Sequence, residues 1–215
     1  MEPTIIKFVT DPSTGTVRCD HFDVTISCKL AHIADINCSE NNIFIIDGST
    51  LYAYDMNGVN THRVELFGDE LFISTVLSGF VYIVDASNDA YSFVYDEELN
   101  YVQQLTKREP LVISYKESML TMDVLTKKII DEFGEDEEVD IADAVRDIFE
   151  EGGVWHKGYL HKPLYVDDEY IYFRVENGLV RRHHSDQMHV EFVESCSKNN
   201  YFVVKPPASK LKFSD

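Results

Sequence analysis

Apolar runs begin at Ile5, Ile43, Val81 and Met119, at intervals of 38 residues. They read Ile5-Ile6-Lys7-Phe8-Val9, Ile43-Phe44-Ile45-Ile46-Asp47, Val81-Tyr82-Ile83-Val84-Asp85 and Met119-Leu120-Thr121-Met122-Asp123. A fixed period of this length points to a repeat architecture, in which each unit is too small to bury its own apolar face and must stack on its neighbours. Two further runs start at Tyr170 and Tyr201, 51 and 31 residues on. The longer gap holds an insertion at residues 131–153. The second and sixth runs also share a lead-in, Cys38-Ser39-Glu40-Asn41-Asn42 against Cys196-Ser197-Lys198-Asn199-Asn200.

Within each period the signals are those of short strands. Ile43 to Ile46 is too short and too uniformly apolar for an amphipathic helix, and its β-branched and aromatic side chains suit a pleated surface. Asp47-Gly48-Ser49 supplies turn chemistry, Thr50 to Asp55 a second strand, and Asn57-Gly58 a second turn before a third strand at His62 to Phe67. Four strands are expected within 69–106: Leu71–Val76, Phe80–Val84, Ala90–Tyr95 and Tyr101–Leu105. A period near 40 residues made of about four short strands is that of a propeller blade. Regularly spaced hairpins are also compatible with a β-sandwich or barrel.

Several of the second strands end in Asp: Arg18-Cys19-Asp20, Ala53-Tyr54-Asp55, Val94-Tyr95-Asp96 and Phe213-Ser214-Asp215. In this the chain resembles a degenerate WD40 repeat, with Tyr-Asp standing for Trp-Asp. The resemblance spans nearly the whole chain and implies an all-β fold. The expectation is one domain over 1–215, a β-propeller-like array of roughly five to six four-stranded blades with one short acidic helical insertion. The array is expected to be incomplete. The first blade lacks an inner strand, because nothing suitable precedes Ile5, and the last lacks its outer strand. Sheet edges left open in this way are avoided in proteins. Either the chain is a piece of a longer protein, or a partner completes the propeller, or the strand count is off by one or two; the first two are preferred.

Charge narrows the partners. The formal net charge is −19 on 215 residues. Binding to a phosphate backbone needs clustered Lys and Arg, so direct nucleic-acid binding is not expected. An anionic membrane would be repelled and a basic protein attracted; the alternative reading is that the acidity simply keeps the domain soluble. The N-terminus lacks the basic region and apolar core of a signal peptide, and no run is long enough to span a membrane. Cys19, Cys28, Cys38 and Cys196 show no paired metal-type spacing. An intracellular protein, cytoplasmic or nuclear, with reduced thiols is expected.

The insertion is the one break in the pattern. Residues 131–151 carry eleven acidic side chains and a single basic one, Arg146. Glu132 to Asp140, with Glu135, Asp136, Glu137 and Glu138 at its centre, is read as a solvated acidic loop. Ile141, Val145, Ile148 and Phe149 then fall on one face of a short helix that Asp140 caps and Gly152-Gly153 ends. That stripe either packs on the rest of the protein or docks a basic or apolar-grooved partner. Trp155 and His156, beside the insertion, include the only Trp, a residue type favoured both in cores and as a binding anchor. The partner-binding candidates are therefore Glu135, Asp136, Glu137, Glu138, Ile141, Val145, Phe149, Trp155 and His156.

Little in the chain points to catalysis. His183 and His184, with His189, His156 and His161, are the only cluster of ligand-type side chains. Neighbouring strand residues point to opposite faces, so His183 and His184 are not expected to share a metal. There is no phosphate loop, nucleophile elbow or His-Glu-x-x-His helix. No catalytic residue, metal or cofactor is expected. The expected role is a non-catalytic protein–protein interaction scaffold, a propeller-like subunit or domain of an intracellular complex. The alternative is an enzyme or small-ligand binder that uses a central channel, against which stands the apolar, Ser- and Thr-bearing character of strands such as Leu71–Val76.

Overall fold

A computed structural model describes residues 2–27, 32–77, 79–85, 91–106, 113–115, 118–120, 154–157, 159–161, 163–167, 169–186 and 189–205. Every regular element among them is a β-strand. The helical insertion expected at 131–153 lies outside the described residues. Among the described residues, no helix is long and apolar enough to cross a membrane.

The chain divides into two compact units. The first comprises Ile5–Arg108 with Asn199–Val203. It begins with β1 (Thr4–Asp11), β2 (Thr16–Cys19) and β3 (Val24–Ser27), an antiparallel meander. Two four-stranded meanders follow, β4 (Ile33–Cys38) to β7 (Asn60–Glu65) through β5 (Asn42–Asp47) and β6 (Thr50–Asp55), then β8 (Leu71–Leu77) to β11 (Tyr101–Thr106) through β9 (Phe80–Asp85) and β10 (Tyr91–Asp96). These are the strands that the period marks out.

Strand β5 shows why an apolar run without alternation forms a strand here. Successive side chains of a strand point to opposite faces. Ile43 and Ile45 enter a core shared with Phe8, Val17, Ile26 and Ile36. Phe44 and Ile46 enter a second core, shared with Leu51, Ile73, Val81 and Ile83. All four β5 side chains are fully buried. The middle sheet is thus covered on both faces by its sequence neighbours, a propeller-like arrangement of successive blades. Burying each such side chain stabilises the fold by about 1.5–3 kcal/mol.

The second unit comprises Met1–Thr4, Glu109–Lys198 and Val204–Asp215. It holds a six-stranded sheet in the order β13-β12-β16-β17-β18-β19. Its strands are β12 (Ile113–Tyr115), β13 (Ser118–Leu120), β16 (Pro163–Val166), β17 (Tyr170–Val175), β18 (Gly178–His183) and β19 (Glu191–Ser195). Among its described residues it also holds a two-stranded ribbon, β14 (Val154–His156) with β15 (Tyr159–His161).

The last strand, β20 (Asn200–Lys205), pairs with β1, giving the first sheet the order β20-β1-β2-β3. The Asn199 carbonyl accepts from both the backbone N–H and the hydroxyl of Thr10, each at 2.9 Å. Tyr201 reaches across to donate to the Ile33 carbonyl at 2.7 Å. This corrects the expectation that the two ends do not complement one another. The inner strand missing from the first blade is the run at Tyr201, placed there from the far end of the sequence. The expectation of five to six blades changes for the same reason. The sixth run completes the first sheet, and the fourth and fifth lie in one sheet, so six runs resolve into four sheets of four strands or more among the described residues.

Candidate functional site

Seven of the partner-binding candidates, Glu135, Asp136, Glu137, Glu138, Ile141, Val145 and Phe149, lie outside the described residues. Trp155 and His156 lie on β14, where Trp155 is paired with Leu160 and His156 with Tyr159. The strand turns at Lys157, which holds a left-handed φ of 51°.

Among the described side chains, His161, His183, His184 and His189 each have separate partners. His183 Nδ1 lies 2.7 Å from the Ser185 hydroxyl and accepts the Ser185 backbone N–H at 3.1 Å. His189 Nδ1 lies 2.8 Å from an Asp186 carboxylate oxygen. The His161 ring stacks against Phe173 at 5.5 Å between centroids. His184 faces the other way, with Nε2 2.7 Å from the Asp167 carbonyl. Among the described residues, no three His, Cys, Asp or Glu side chains gather as a ligand set. Cys19 and Cys38 are buried in the first core. Burial pushes the Cys19 thiol above its ordinary pKa and leaves it a poor nucleophile.

The strand-ending aspartates are turn formers. Asp55 Oδ1 accepts the backbone N–H groups of Asn57 and Val59, both at 2.9 Å. Asp96 repeats the pattern with Glu98 at 3.0 Å and Asn100 at 2.8 Å. The residue three positions after each Asp is left-handed: Gly58 at φ 78° and Leu99 at φ 61°. The Val59 amide chiefly holds the Asp55 carboxyl below its ordinary pKa, and the Asn100 side chain chiefly does so for Asp96. Asp47 and Asp85, 38 residues apart, each accept the backbone N–H of a residue fifteen positions earlier, His32 at 2.6 Å and Glu70 at 3.4 Å. Asp20 instead pairs with Arg18 at 2.9 Å on the surface, and Asp215 lies outside the described residues.

One polar group among the described residues was not singled out by sequence. On one face of β17–β18–β19, the register places Arg181 opposite Tyr172 and Glu191. Its Nε donates to Glu191 at 2.8 Å, and the guanidinium lies 4.3 Å from the centre of the Tyr170 ring. Hydrogen bonds to Tyr172 and then to Glu191 raise its pKa, so Arg181 is a fixed cation. Glu2 stands 3.9 Å away. Such a group can hold an anion or a planar ring by charge and stacking, but here its own neighbours already fill those roles. The signal that could have found it is cross-strand register, which a single sequence does not display.

The chain matches no known protein-family model and no curated protein. Solved structures with some likeness include BamB from Moraxella catarrhalis, at 12% identity and a TM-score of 0.39, covering 88% of this chain and 58% of that one. AztD from Citrobacter koseri, in its apo form, gives 14% identity and a TM-score of 0.33, covering 97% of this chain and 60% of that one. Hsv2 from Kluyveromyces lactis gives 6% identity and a TM-score of 0.29, covering 77% of this chain and 37% of that one. This chain therefore spans less than two thirds of the length of each.

Proposed function

We propose that the protein is a non-catalytic interaction scaffold, a WD40-like propeller subunit of an intracellular complex, cytoplasmic or nuclear, whose partner is a basic protein. The observation that carries this is the way the repeat uses its polar side chains. Asp47, Asp55, Asp85 and Asp96 serve turns and strand entries instead of meeting at one point. The net charge of −19 supports a basic partner. Residues 131–151, with Trp155 and His156, are its contact region because they interrupt an otherwise regular pattern. Nucleic acid and membrane are not partners in this proposal. A partner that also completes the propeller would act at an edge other than that of β1, which β20 occupies.

The test is affinity capture from the source cells with the full chain and with a variant carrying Glu135→Lys, Asp136→Lys, Glu137→Lys and Glu138→Lys together. A discrete set of basic proteins held by the natural chain, released by moderate salt and lost by the variant, is the expected result. An unchanged set would remove the acidic segment from the contact surface.

A further inference from the structure

We propose that His184 is an acid-sensitive clasp, which in its neutral form ties the turn after β18 to the turn between β16 and β17 and on protonation releases it. Two bonds make the clasp. The His184 backbone N–H donates to the Glu169 carbonyl at 3.0 Å. Nε2 lies 2.7 Å from the Asp167 carbonyl. A carbonyl oxygen only accepts, so Nε2 carries the proton and Nδ1 holds the lone pair. Nδ1 is shielded from solvent and has no hydrogen-bond partner among the described residues. A proton added there creates a buried N–H donor without an acceptor and a buried charge, both costly.

Among the described residues, the charged and titratable groups acting on the ring are Asp167, from the β16–β17 turn, and Arg182 and His183, from the end of β18. Burial is the largest influence and pushes the pKa below its ordinary value. The Asp167 bond and charge oppose it, and the His183 and Arg182 charges add to it. Above pH about 6.5, the ordinary imidazole value, the ring is neutral whether folded or unfolded and the clasp is whole. As pH falls below that, the unfolded ring takes its proton first, so clasp stability declines until the folded ring is also charged. The segment freed is the turn that begins at His183 and leads to β19.

The experiment is an NMR titration of the full chain from about pH 8 to about pH 5, the range in which imidazoles change charge. It follows the His184 ring signal and the exchange protection of its amide. Expected is a ring midpoint below the ordinary imidazole value, with amide protection lost in step while amides inside β17 keep theirs. In His184→Gln, whose side-chain amide can still donate to Asp167 but does not titrate, protection should persist across the range. A ring midpoint at or above the ordinary value, or amide protection indifferent to ring protonation, overturns the proposal from the natural chain alone, whether or not the variant folds.

Discussion

A single aspartate at the end of a strand sets the shape of the turn that follows, and among the described residues Asp55 and Asp96 use the device with matching geometry. Each accepts the amides two and four residues on and is followed, three residues on, by a left-handed residue. At Gly58 the device also governs packing between blades. A Cβ there would lie 2.7 Å from the Thr25 carbonyl oxygen of β3, and the residue is left-handed as well. Gly58→Ala should therefore cost about 1–3 kcal/mol, read as a lower urea midpoint with an unchanged slope. At the matching position Leu99 accepts the left-handed backbone because its side chain is buried in the second core. The Tyr-Asp pairs were legible in the sequence as a repeat. The turn at Leu99 was not, because no glycine marks it.

Strands are decided by their two faces, and turns and bulges adjust how closely neighbouring strands approach. Gly178 opens β18 next to a register shift, where an added Cβ would sit 2.4 Å from the Glu194 carbonyl oxygen of β19. Gly178→Ala should push β19 off the sheet and raise the exchange rate of the Cys196 amide, which bonds the Asn177 carbonyl. Protection in β17 should change far less; equal loss in both strands would mean that β19 is not the weak element. Most strands could be read from apolar runs and Gly or Asn turns, and β5 and β9 begin within a residue of their expected starts. Which strands pair across long separations could not, because Tyr201–Val204 looks like any other apolar run and its partner lies nearly a whole chain length away. The same limit hid the Arg181 group, which exists only through register. Of the predicted contact residues, only Trp155 and His156 fall on described elements, a short ribbon expected simply as a Trp-bearing segment.

In the first unit, the sheets and cores form one connected piece that β20 enters at its first blade. Phe202 is almost fully buried, and Val203 packs in the first core. Phe202→Ala should cost about 3–5 kcal/mol, since it removes a buried aromatic and leaves a cavity. Urea unfolding checks this, and a loss under about 1 kcal/mol would mean that the strand is only loosely held. The pairing of β20 with β1 has a further consequence in time. The two strands are separated by nearly the whole chain, so during synthesis at about 5–20 residues per second β1 waits roughly 10–40 seconds for its neighbour. For that interval the nascent chain presents a bare strand edge on the ribosome. Crowded polysomes, slow translation or a shortage of chaperones should therefore lower the yield of this protein more than they alter the stability of the copies that finish folding.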